Sequence, residues 1–207
     1  MRGRFITLEG GEGAGKSTQL RRLAEAIRAR GHDVIETREP GGSPGAEAIR
    51  GLLLQGAEER WTAEAEALLF AAARADHVAR TIRPALERGE WVLCDRFLDS
   101  SLAYQGAAGG LGTEAIRRLH EIGSGGLLPD RTLLLQLDAE AAAGRARKRD
   151  AEGGDRIGAR DSPYHGQVAA AFAALAAEEP ERFRLIDADG PAKEVTSRLL
   201  TALEDLL

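Results

Sequence analysis

The sequence predicts an α/β fold in which a five-stranded parallel sheet carries helices on both faces. Short apolar runs rich in strand-forming residues recur along the 207-residue chain, and longer Ala-, Leu- and Arg-rich segments separate them. This alternation of strand and helix is typical of a parallel sheet. Several of the runs are almost continuously apolar, as strands covered on both faces should be. The predicted strands are Phe5–Leu8, Asp33–Glu36, Trp91–Cys94, Thr132–Leu137 and Phe183–Ile186.

The first helix is predicted to follow the first strand after a glycine-rich turn. Leu20, Leu23, Ala24 and Ile27 have the i, i+3, i+4, i+7 spacing of a helix with one buried face. Gly31 stands where such a helix should end. The strand, the turn and the helix therefore form one βα unit at the start of the chain.

The chain length predicts one compact domain spanning residues 1–207, because no repeat or clear linker divides it. Two glycine-containing stretches are expected to bury little surface and to be mobile. They are Gly106–Gly112 and the basic stretch Arg145–Arg160. We interpret the second, near residues 145–160, as a lid, since long unstructured segments of this kind often cover a site.

Composition excludes several classes of protein. The formal net charge of −5 argues against a general nucleic-acid binder, which would carry a basic excess on one face. No apolar run approaches the ~20 residues that span a bilayer, and Met1–Thr7 lacks the apolar core of a signal peptide. We therefore expect a cytoplasmic protein without a membrane partner. The single cysteine, Cys94, has apolar neighbours and is expected to be a buried strand residue rather than a reactive thiol.

The most informative motif follows the first predicted strand. Gly10–Ser17 matches the pattern GxxxxGK[ST], a glycine-rich turn between a strand and a helix that wraps a polyphosphate. Glycine lets consecutive backbone N–H groups converge on phosphate oxygens, Lys16 neutralises the outer phosphates, and the Ser17 hydroxyl can hold Mg²⁺. The motif predicts the three-layer P-loop NTPase fold. The expected phosphate-binding residues are Gly10, Gly11, Glu12, Gly13, Ala14, Gly15, Lys16, Ser17 and Thr18.

An acidic residue lies at the end of the third predicted strand. Asp95 stands where a Walker B aspartate binds Mg²⁺ directly or through water, and Arg96 can reach a second anion in the crevice beyond the strand ends. An Asn-Lys-x-Asp run, the element that reads guanine in GTP-binding proteins, does not occur in the chain. ATP with Mg²⁺ is therefore the expected phosphoryl donor.

The segment after Trp61 predicts an acceptor pocket. Phe70 and Arg74 are one helical turn apart, so an aromatic ring and a guanidinium fork can face one cavity. Such a pair suits stacking on a base and hydrogen bonding to its edge. A partly exposed phenylalanine beside a solvated arginine is the alternative interpretation of the same spacing. His77, on the same side, is expected to be structural rather than catalytic.

Several runs together make the sequence resemble the thymidylate kinase family along essentially the whole chain. The resemblance implies an enzyme that transfers the γ-phosphoryl group of ATP to dTMP, giving dTDP and ADP for dTTP synthesis, with Mg²⁺ as cofactor. Members of this family are usually homodimers, and the apolar helical region from Thr62 to Leu86 can supply an interface. The matching runs are EGGEGAGKST (Glu9–Thr18), TREPGG (Thr37–Gly42), FAAAR (Phe70–Arg74), DRF (Asp95–Phe97) and SSLAYQG (Ser100–Gly106).

The resemblance also assigns the recognition of the thymine base. It implies that the ring stacks on Phe70 and that Arg74, Ser101 and Gln105 read its edge. This assignment suits thymine, because its carbonyl oxygens accept hydrogen bonds from a guanidinium.

The rest of dTMP is assigned by the same resemblance. The phosphate would meet Arg96, the sugar would lie near Glu9 and Tyr104, and Arg38 and Pro40 of the TREPGG run would complete the site. A Tyr104 ring against the sugar would penalise an added 2′-hydroxyl. A packed core tyrosine is the alternative interpretation of Tyr104.

Phosphoryl transfer also needs positive charge where the transition state accumulates negative charge, and the basic lid supplies candidates. Some family members place a catalytic arginine in the P-loop and others in the lid. Glu12 occupies the loop position here, so the chain resembles the lid-arginine type. The basic residues of the lid are Arg145, Arg147, Lys148, Arg149, Arg156 and Arg160. The implied catalytic residues are Lys16, Arg96 and Arg149, and the implied adenine contacts are Arg145 and Pro191.

Two other functions are compatible with the P-loop. One is a small kinase that acts on a different nucleoside monophosphate or on a deoxynucleoside. The other is a nucleotide-binding switch or assembly ATPase that transfers nothing to a small molecule. The TREPGG and YQG runs have no reason to exist in the second case, so we favour the kinase.

Overall fold

The computed structural model describes residues 2–137, 156–158 and 160–207. In this part of the chain five strands form one parallel sheet in the order β2–β3–β1–β4–β5. The predicted α/β fold is thereby confirmed, and each strand differs from its predicted run by no more than two residues at either end. The strands are β1 (Phe5–Glu9), β2 (Val34–Arg38), β3 (Trp91–Asp95), β4 (Arg131–Gln136) and β5 (Phe183–Asp187).

Helices lie between the strands and after the last one. Two π-helical stretches, Val78–Ile82 and Leu102–Ala108, continue α3 and α5, and a 3₁₀ turn covers Glu58–Arg60. The α-helices are α1 (Lys16–Arg28), α2 (Pro44–Leu54), α3 (Ala63–His77), α4 (Arg83–Glu87), α5 (Leu98–Ser101), α6 (Thr113–Ser124), α7 (Ser162–Glu178) and α8 (Ala192–Thr201).

Both faces of the sheet are covered, as the apolar strands predicted. Successive side chains of a strand point to opposite faces. Phe5 packs in a core with residues of α3, α4 and α7, whereas Ile6 and Leu8 pack in a second core with residues of α1 and α8. These three residues are fully buried. The arrangement is therefore the three-layer one expected for a P-loop protein.

Cys94 lies in β3 and is fully buried, which confirms the predicted strand position. Burial raises the pKa of its thiol well above the ordinary value, because a thiolate would be desolvated there.

Within the residues that the structure describes, no helix is long and apolar enough to cross a bilayer.

The glycine-rich run Gly106–Gly112 differs from its prediction. Gly106 belongs to the π-helical stretch and is buried. A side chain at this position would approach Ile116 and the backbone of Thr113 at 3.3 Å, so the missing Cβ allows close packing against α6. The expectation that this run buries little surface is therefore wrong at Gly106.

The predicted lid is described only at its end. Residues 145–155 and Ala159 lie outside the described residues, so the prediction of a lid and of one domain over 1–207 stays a prediction. Arg156 is described and is buried, with an ion pair to Glu66 of α3. The sequence makes Arg156 one of six candidate cations of the lid, and the structure pairs its guanidinium with this buried carboxylate.

Candidate active site

The P-loop connects the end of β1 to the start of α1. Gly10 has φ 135°, and a Cβ there would lie 2.4 Å from the carbonyl oxygen of Leu135 in β4, so only glycine fits against that neighbouring strand. Gly13 and Gly15 also have positive φ, and Gly15 forms the left-handed N-cap of α1. These glycines let the chain leave the sheet in a tight turn that ends at a helix N-terminus, where backbone N–H groups can bind phosphate.

Lys16 starts α1, and its side chain folds back over the loop. Its Nζ donates hydrogen bonds to the carbonyl oxygens of Gly10 (3.0 Å) and Gly11 (2.8 Å). Burial, and secondarily the nearby charge of Arg96, lower the Lys16 pKa to about 8. The ammonium group is therefore held above the phosphate-binding turn in a site that favours a compensating anion.

Two oxygen donors meet beside the P-loop. The Ser17 hydroxyl donates a 2.7 Å hydrogen bond to Oδ2 of Asp95, so the two predicted metal ligands are neighbours. Hydroxyl and carboxylate oxygens are the hard donors that Mg²⁺ prefers, and Mg²⁺ commonly takes its other ligands from substrate phosphates and water. The pair therefore fits a nucleotide-bound Mg²⁺. Among the described residues, no group of three or more His, Cys, Asp or Glu forms an all-protein metal site.

Arg96 connects the P-loop to a cleft on its other side. It follows β3 with φ 68°, a left-handed conformation that is uncommon for a residue with a side chain. Its Nη1 donates to Gly10 O (3.2 Å) and to the Ser100 hydroxyl (3.1 Å), and its Nη2 pairs with Glu12 at 2.5 Å. The guanidinium also lies 5.0 Å from the ring centroid of Tyr104. Arg96 is therefore fixed at the boundary between loop and cleft.

The cleft lies between the P-loop, α2, α3 and residues 96–105. The predicted acceptor residues that line it are Pro40, Phe70, Arg74, Arg96, Ser101, Tyr104 and Gln105. The structure thus brings together residues that are up to 65 positions apart in the sequence, from Pro40 to Gln105. Other lining residues are Glu12, Glu39, Arg50, Leu54, Phe97, Ser100 and Ile157.

Arg74 is held rigidly at the base of the cleft, with only 3% of its surface exposed. Its Nε donates to Glu39 (2.7 Å), and its Nη2 donates to the Ser101 hydroxyl (2.8 Å) and to Phe97 O (3.1 Å). His77 contacts the other oxygen of Glu39 at 3.0 Å and is fully buried, in agreement with a structural role. The alternative interpretation, in which the Arg74 side chain is exposed to solvent, is therefore wrong.

Two predicted acceptor residues do not line the cleft. The Arg38 guanidinium is turned to Glu47, with both Glu47 oxygens 3.1 Å from its Nη2. Glu9 is fully buried below the cleft, where its carboxylate accepts from the Phe97 N–H (2.8 Å) and the Ser100 hydroxyl (2.6 Å). Their assignment to dTMP stays a prediction.

The predicted adenine contacts are only partly described. Pro191 is the N-cap of α8, and the carbonyl oxygen of the next residue, Ala192, accepts a 3.0 Å hydrogen bond from Gln19 of α1. This bond ties the Pro191 loop to the helix that begins at the P-loop. Arg145 lies outside the described residues, as does the predicted catalytic Arg149.

Three charged side chains of the cleft and its wall were not predicted from the sequence, namely Glu39, Arg50 and Glu66. Arg50 lines the cleft, and its Nη1 donates to Pro40 O at 2.6 Å. A signal for Glu39 exists in the TREPGG run, where an acidic residue precedes the predicted site residue Pro40. The partners of Glu66 come from distant parts of the chain, so no local spacing reveals them.

A buried charge network lies under the cleft. Glu9 has a pKa raised to about 7, first because it is buried and then because of the negative charge of Asp99. Asp99 is itself paired with Arg182, which donates to its two oxygens at 2.7 and 2.8 Å. The Glu9 carboxyl can therefore change its charge near neutral pH.

Comparison with known proteins agrees with this geometry. The family model described as thymidylate kinase matches residues 8–199. A thymidylate kinase from Rhizorhabdus wittichii is 66% identical over 207 residues, with all of both chains covered. One from Caulobacter vibrioides is 52% identical over 197 residues, which covers 95% of this chain and 94% of the relative. The crystal structure of thymidylate kinase from Ehrlichia chaffeensis has a TM-score of 0.80 at 29% identity and covers 98% of this chain and 100% of its own.

The buried Glu9 carboxyl makes the free energy of unfolding depend on pH. Its pKa is about 7 in the folded state and ordinarily 4.5, so the folded protein holds this proton more tightly. The stability that the proton contributes is complete below the ordinary pKa and is lost as the pH rises through the folded-state pKa. We expect the free energy of unfolding of the wild type, minus that of Glu9→Gln, to fall by roughly 1–3 kcal/mol between about pH 4.5 and 8. Urea unfolding of both proteins measures this difference, and parallel pH curves would contradict it.

Proposed function

The chain belongs to the thymidylate kinase family, and from this premise we propose that it transfers the γ-phosphoryl group of ATP to dTMP, giving ADP and dTDP. One observation carries the proposal. Arg96 bonds Gly10 and Glu12 of the P-loop and at the same time lines the cleft beside Tyr104. A donor phosphate in the loop and an acceptor phosphate in the cleft would therefore meet at one fixed cation.

The donor half of the reaction uses the P-loop. The backbone of Gly10–Thr18 binds the ATP phosphates, and Lys16 balances their outer charge. Ser17 and Asp95 hold Mg²⁺, which when bound neutralises charge on the phosphate oxygens. Adenine lies between Arg145 and Pro191.

The acceptor half uses the cleft. Thymine stacks on Phe70, and its edge is read by Arg74, Ser101 and Gln105, which all line the cleft. Because Arg74 is already bonded to Glu39, Ser101 and Phe97, its position is fixed before the base arrives, which lowers the entropy cost of binding.

The dTMP phosphate lies near two cations. Arg96 and Arg50 both line the cleft, and both are oriented by carbonyl oxygens of the loops around it. The sugar lies near Tyr104 and above the buried Glu9. Pro40 forms part of the wall of the cleft.

The chemical step needs alignment and positive charge rather than a covalent intermediate. An oxygen of the dTMP phosphate attacks the γ-phosphorus of ATP, the bond to the β-phosphate oxygen breaks, and ADP leaves. Lys16 and Arg96 stabilise the charge that is spread over the transferring group, and Arg149 adds a third cation from the lid. Preorganised cations stabilise a transition state more than mobile ones, because they need not reorient as charge develops.

We also propose a cytoplasmic homodimer whose interface lies on α3 and α6. These helices pack closely, since a Cβ on Gly123 of α6 would lie 3.3 Å from the Cβ of Ala75. Leu68 on α3 is 56% exposed and Ile122 on α6 is 86% exposed, so each leaves a large apolar side chain uncovered. The proposed partners are otherwise small molecules, ATP and dTMP, with no nucleic acid and no membrane. The cytoplasm is where these nucleotides are made and used.

An acceptor panel tests the proposed reaction. With ATP and Mg²⁺, we expect dTMP to give the highest kcat/KM among dTMP, dCMP, dAMP, dGMP and thymidine, with dCMP at least about tenfold lower. A coupled assay of ADP release measures each acceptor. A different best acceptor would mean another small kinase, and ATP hydrolysis that no monophosphate changes would mean a switch or assembly ATPase.

Arg149 tests the catalytic cations. We expect Arg149→Ala to lower kcat by about 10³-fold with little change in the KM for ATP, because the charge is needed mainly in the transition state. Arg88→Ala, a substitution of an exposed arginine that follows α4, is the matched control and should leave both constants unchanged. Near-normal turnover of Arg149→Ala would move the catalytic role to another residue.

Light scattering tests the dimer. The wild type should have about twice the 22.1 kDa mass of the chain, and a double Leu68→Glu, Ile122→Glu variant should run as a monomer because the charges would be buried at the interface. Leu185→Glu changes a leucine of similar exposure on β5 and should stay dimeric. A dimeric double variant would place the interface elsewhere.

A further inference from the structure

A buried carboxylate stands behind the acceptor cleft without a part in the reaction described above. Glu66 lies on α3 one turn before Phe70, and only 3% of its surface is exposed. Its Oε2 accepts from Arg156 and from Arg160 (2.8 Å), and its Oε1 accepts from Nε2 of Gln105 at 3.1 Å. A buried charge with these partners is fully paired, so it is costly to remove any one of them.

The chemistry of Glu66 determines how the Gln105 amide is oriented. A carboxylate that pairs with two guanidinium groups can only accept hydrogen bonds. It must therefore face the NH₂ end of Gln105 and not the carbonyl end. Because an amide has one donor end and one acceptor end, the acceptor Oε1 is the end left to the cleft that Gln105 lines.

An acceptor in this position selects among pyrimidines. Thymine carries an N3–H donor between its two carbonyl groups, whereas neutral cytosine has a bare N3 acceptor and an amino group at position 4. Gln105 Oε1 can accept from the thymine N3–H but would face the cytosine N3 lone pair. A site that bonds a particular donor rejects the analogue that lacks it, because its own polar group is then left unpaired.

Glu66 also ties the end of the predicted lid to this wall. Arg156 Nε donates to Leu53 O (3.0 Å) and its backbone N–H reaches Leu54 O (3.3 Å), at the C-terminal end of α2. Such an end carries partial negative charge and carbonyl groups without helical partners, which suits a guanidinium. The next residue, Ile157, lines the cleft. One carboxylate thus holds both the end of the predicted lid and the residue that reads the base.

We propose that Glu66 is a positioning residue for pyrimidine selection, which acts by fixing the Gln105 amide with Oε1 toward the acceptor base, while Arg156 and Arg160 hold the Glu66 carboxylate in place. This proposal rests on the proposed phosphorylation of dTMP. Glu66 itself contacts no substrate.

Glu66→Gln is the direct test, because it keeps the shape and changes the hydrogen-bond pattern. In this variant the two arginines will donate to the carbonyl oxygen of the new side chain, so its NH₂ group will face Gln105. Gln105 must then turn its Oε1 toward residue 66 and present its Nε2 to the base. We expect kcat/KM for dTMP to fall at least about tenfold and the preference for dTMP over dCMP to fall by a similar factor, with the KM for ATP unchanged. Glu64→Gln, an exposed position on the same helix, is the matched control and should behave as wild type.

A double variant separates orientation from general damage. In Glu66→Gln with Gln105→Glu, the NH₂ at 66 can donate to one carboxylate oxygen at 105, and the other oxygen again offers an acceptor to the base. We expect this double variant to regain most of the preference for dTMP over dCMP. Loss of packing alone would not be rescued by a second substitution, so failure of the rescue in a folded double variant overturns the proposal.

The remaining outcomes are also decisive. A wild type that does not phosphorylate dTMP refutes the proposed function, whereas an active wild type and a folded Glu66→Gln with unchanged selectivity refute only the role of Glu66. If Glu66→Gln does not fold, a crystal structure of the wild type with dTMP decides. Gln105 within hydrogen-bond distance of thymine N3, with its other end still on Glu66, supports the proposal, since N3–H can bond only an acceptor. Gln105 turned away from either group overturns it.

Discussion

The geometry of the site depends on the position of one guanidinium, that of Arg96. Parallel pairing of β1 with β3 sets Leu8 opposite Asp95, and the Arg96 N–H donates to Leu8 O at 3.0 Å, so both strands deliver their next residues to the same edge of the sheet. The positive φ of Arg96 then turns its side chain between the P-loop and the cleft. Such a conformation costs of order 1–3 kcal/mol, which the surrounding hydrogen bonds must offset. The strain is kept at the position where we propose that the donor and acceptor phosphates meet.

Around Arg96 the chain buries several acid–arginine pairs. These pairs orient side chains more than they stabilise the fold. Glu39 holds Arg74, Glu66 holds Arg156, and Asp99 holds Arg182. Desolvation of two charges nearly cancels their attraction, so such pairs contribute little net stability. Glu39 fixes the Arg74 donor of the cleft, and Glu66 fixes the Gln105 amide beside it. A substrate that binds by hydrogen-bond pattern needs this rigidity, because a side chain that turns freely offers donor and acceptor alike.

The sequence was sufficient for features that depend on neighbours along the chain. Strands appeared as apolar runs, and the P-loop appeared as glycines before a helix, since both follow from local backbone preference and burial. The pairing of side chains is different. Arg38 was expected in the cleft but its guanidinium binds Glu47, and Arg156, one of the candidate lid cations, is buried against Glu66. An arginine has the same local signature whichever carboxylate it meets, so only the tertiary fold distinguishes these outcomes.

Hydrogen bonds to protein oxygens also keep two cations in place at the P-loop before a phosphate binds. Lys16 and Arg96 both donate to Gly10 O, and Arg96 also pairs with Glu12, so protein oxygens hold both charges at the loop. Desolvation lowers the Lys16 pKa to about 8, which means that its charged form gains when an anion arrives. A phosphate oxygen that bonds Lys16 would therefore meet a cation whose position is already fixed by backbone carbonyl oxygens. Binding energy is then available for aligning the two nucleotides rather than for collecting the charges that act on them.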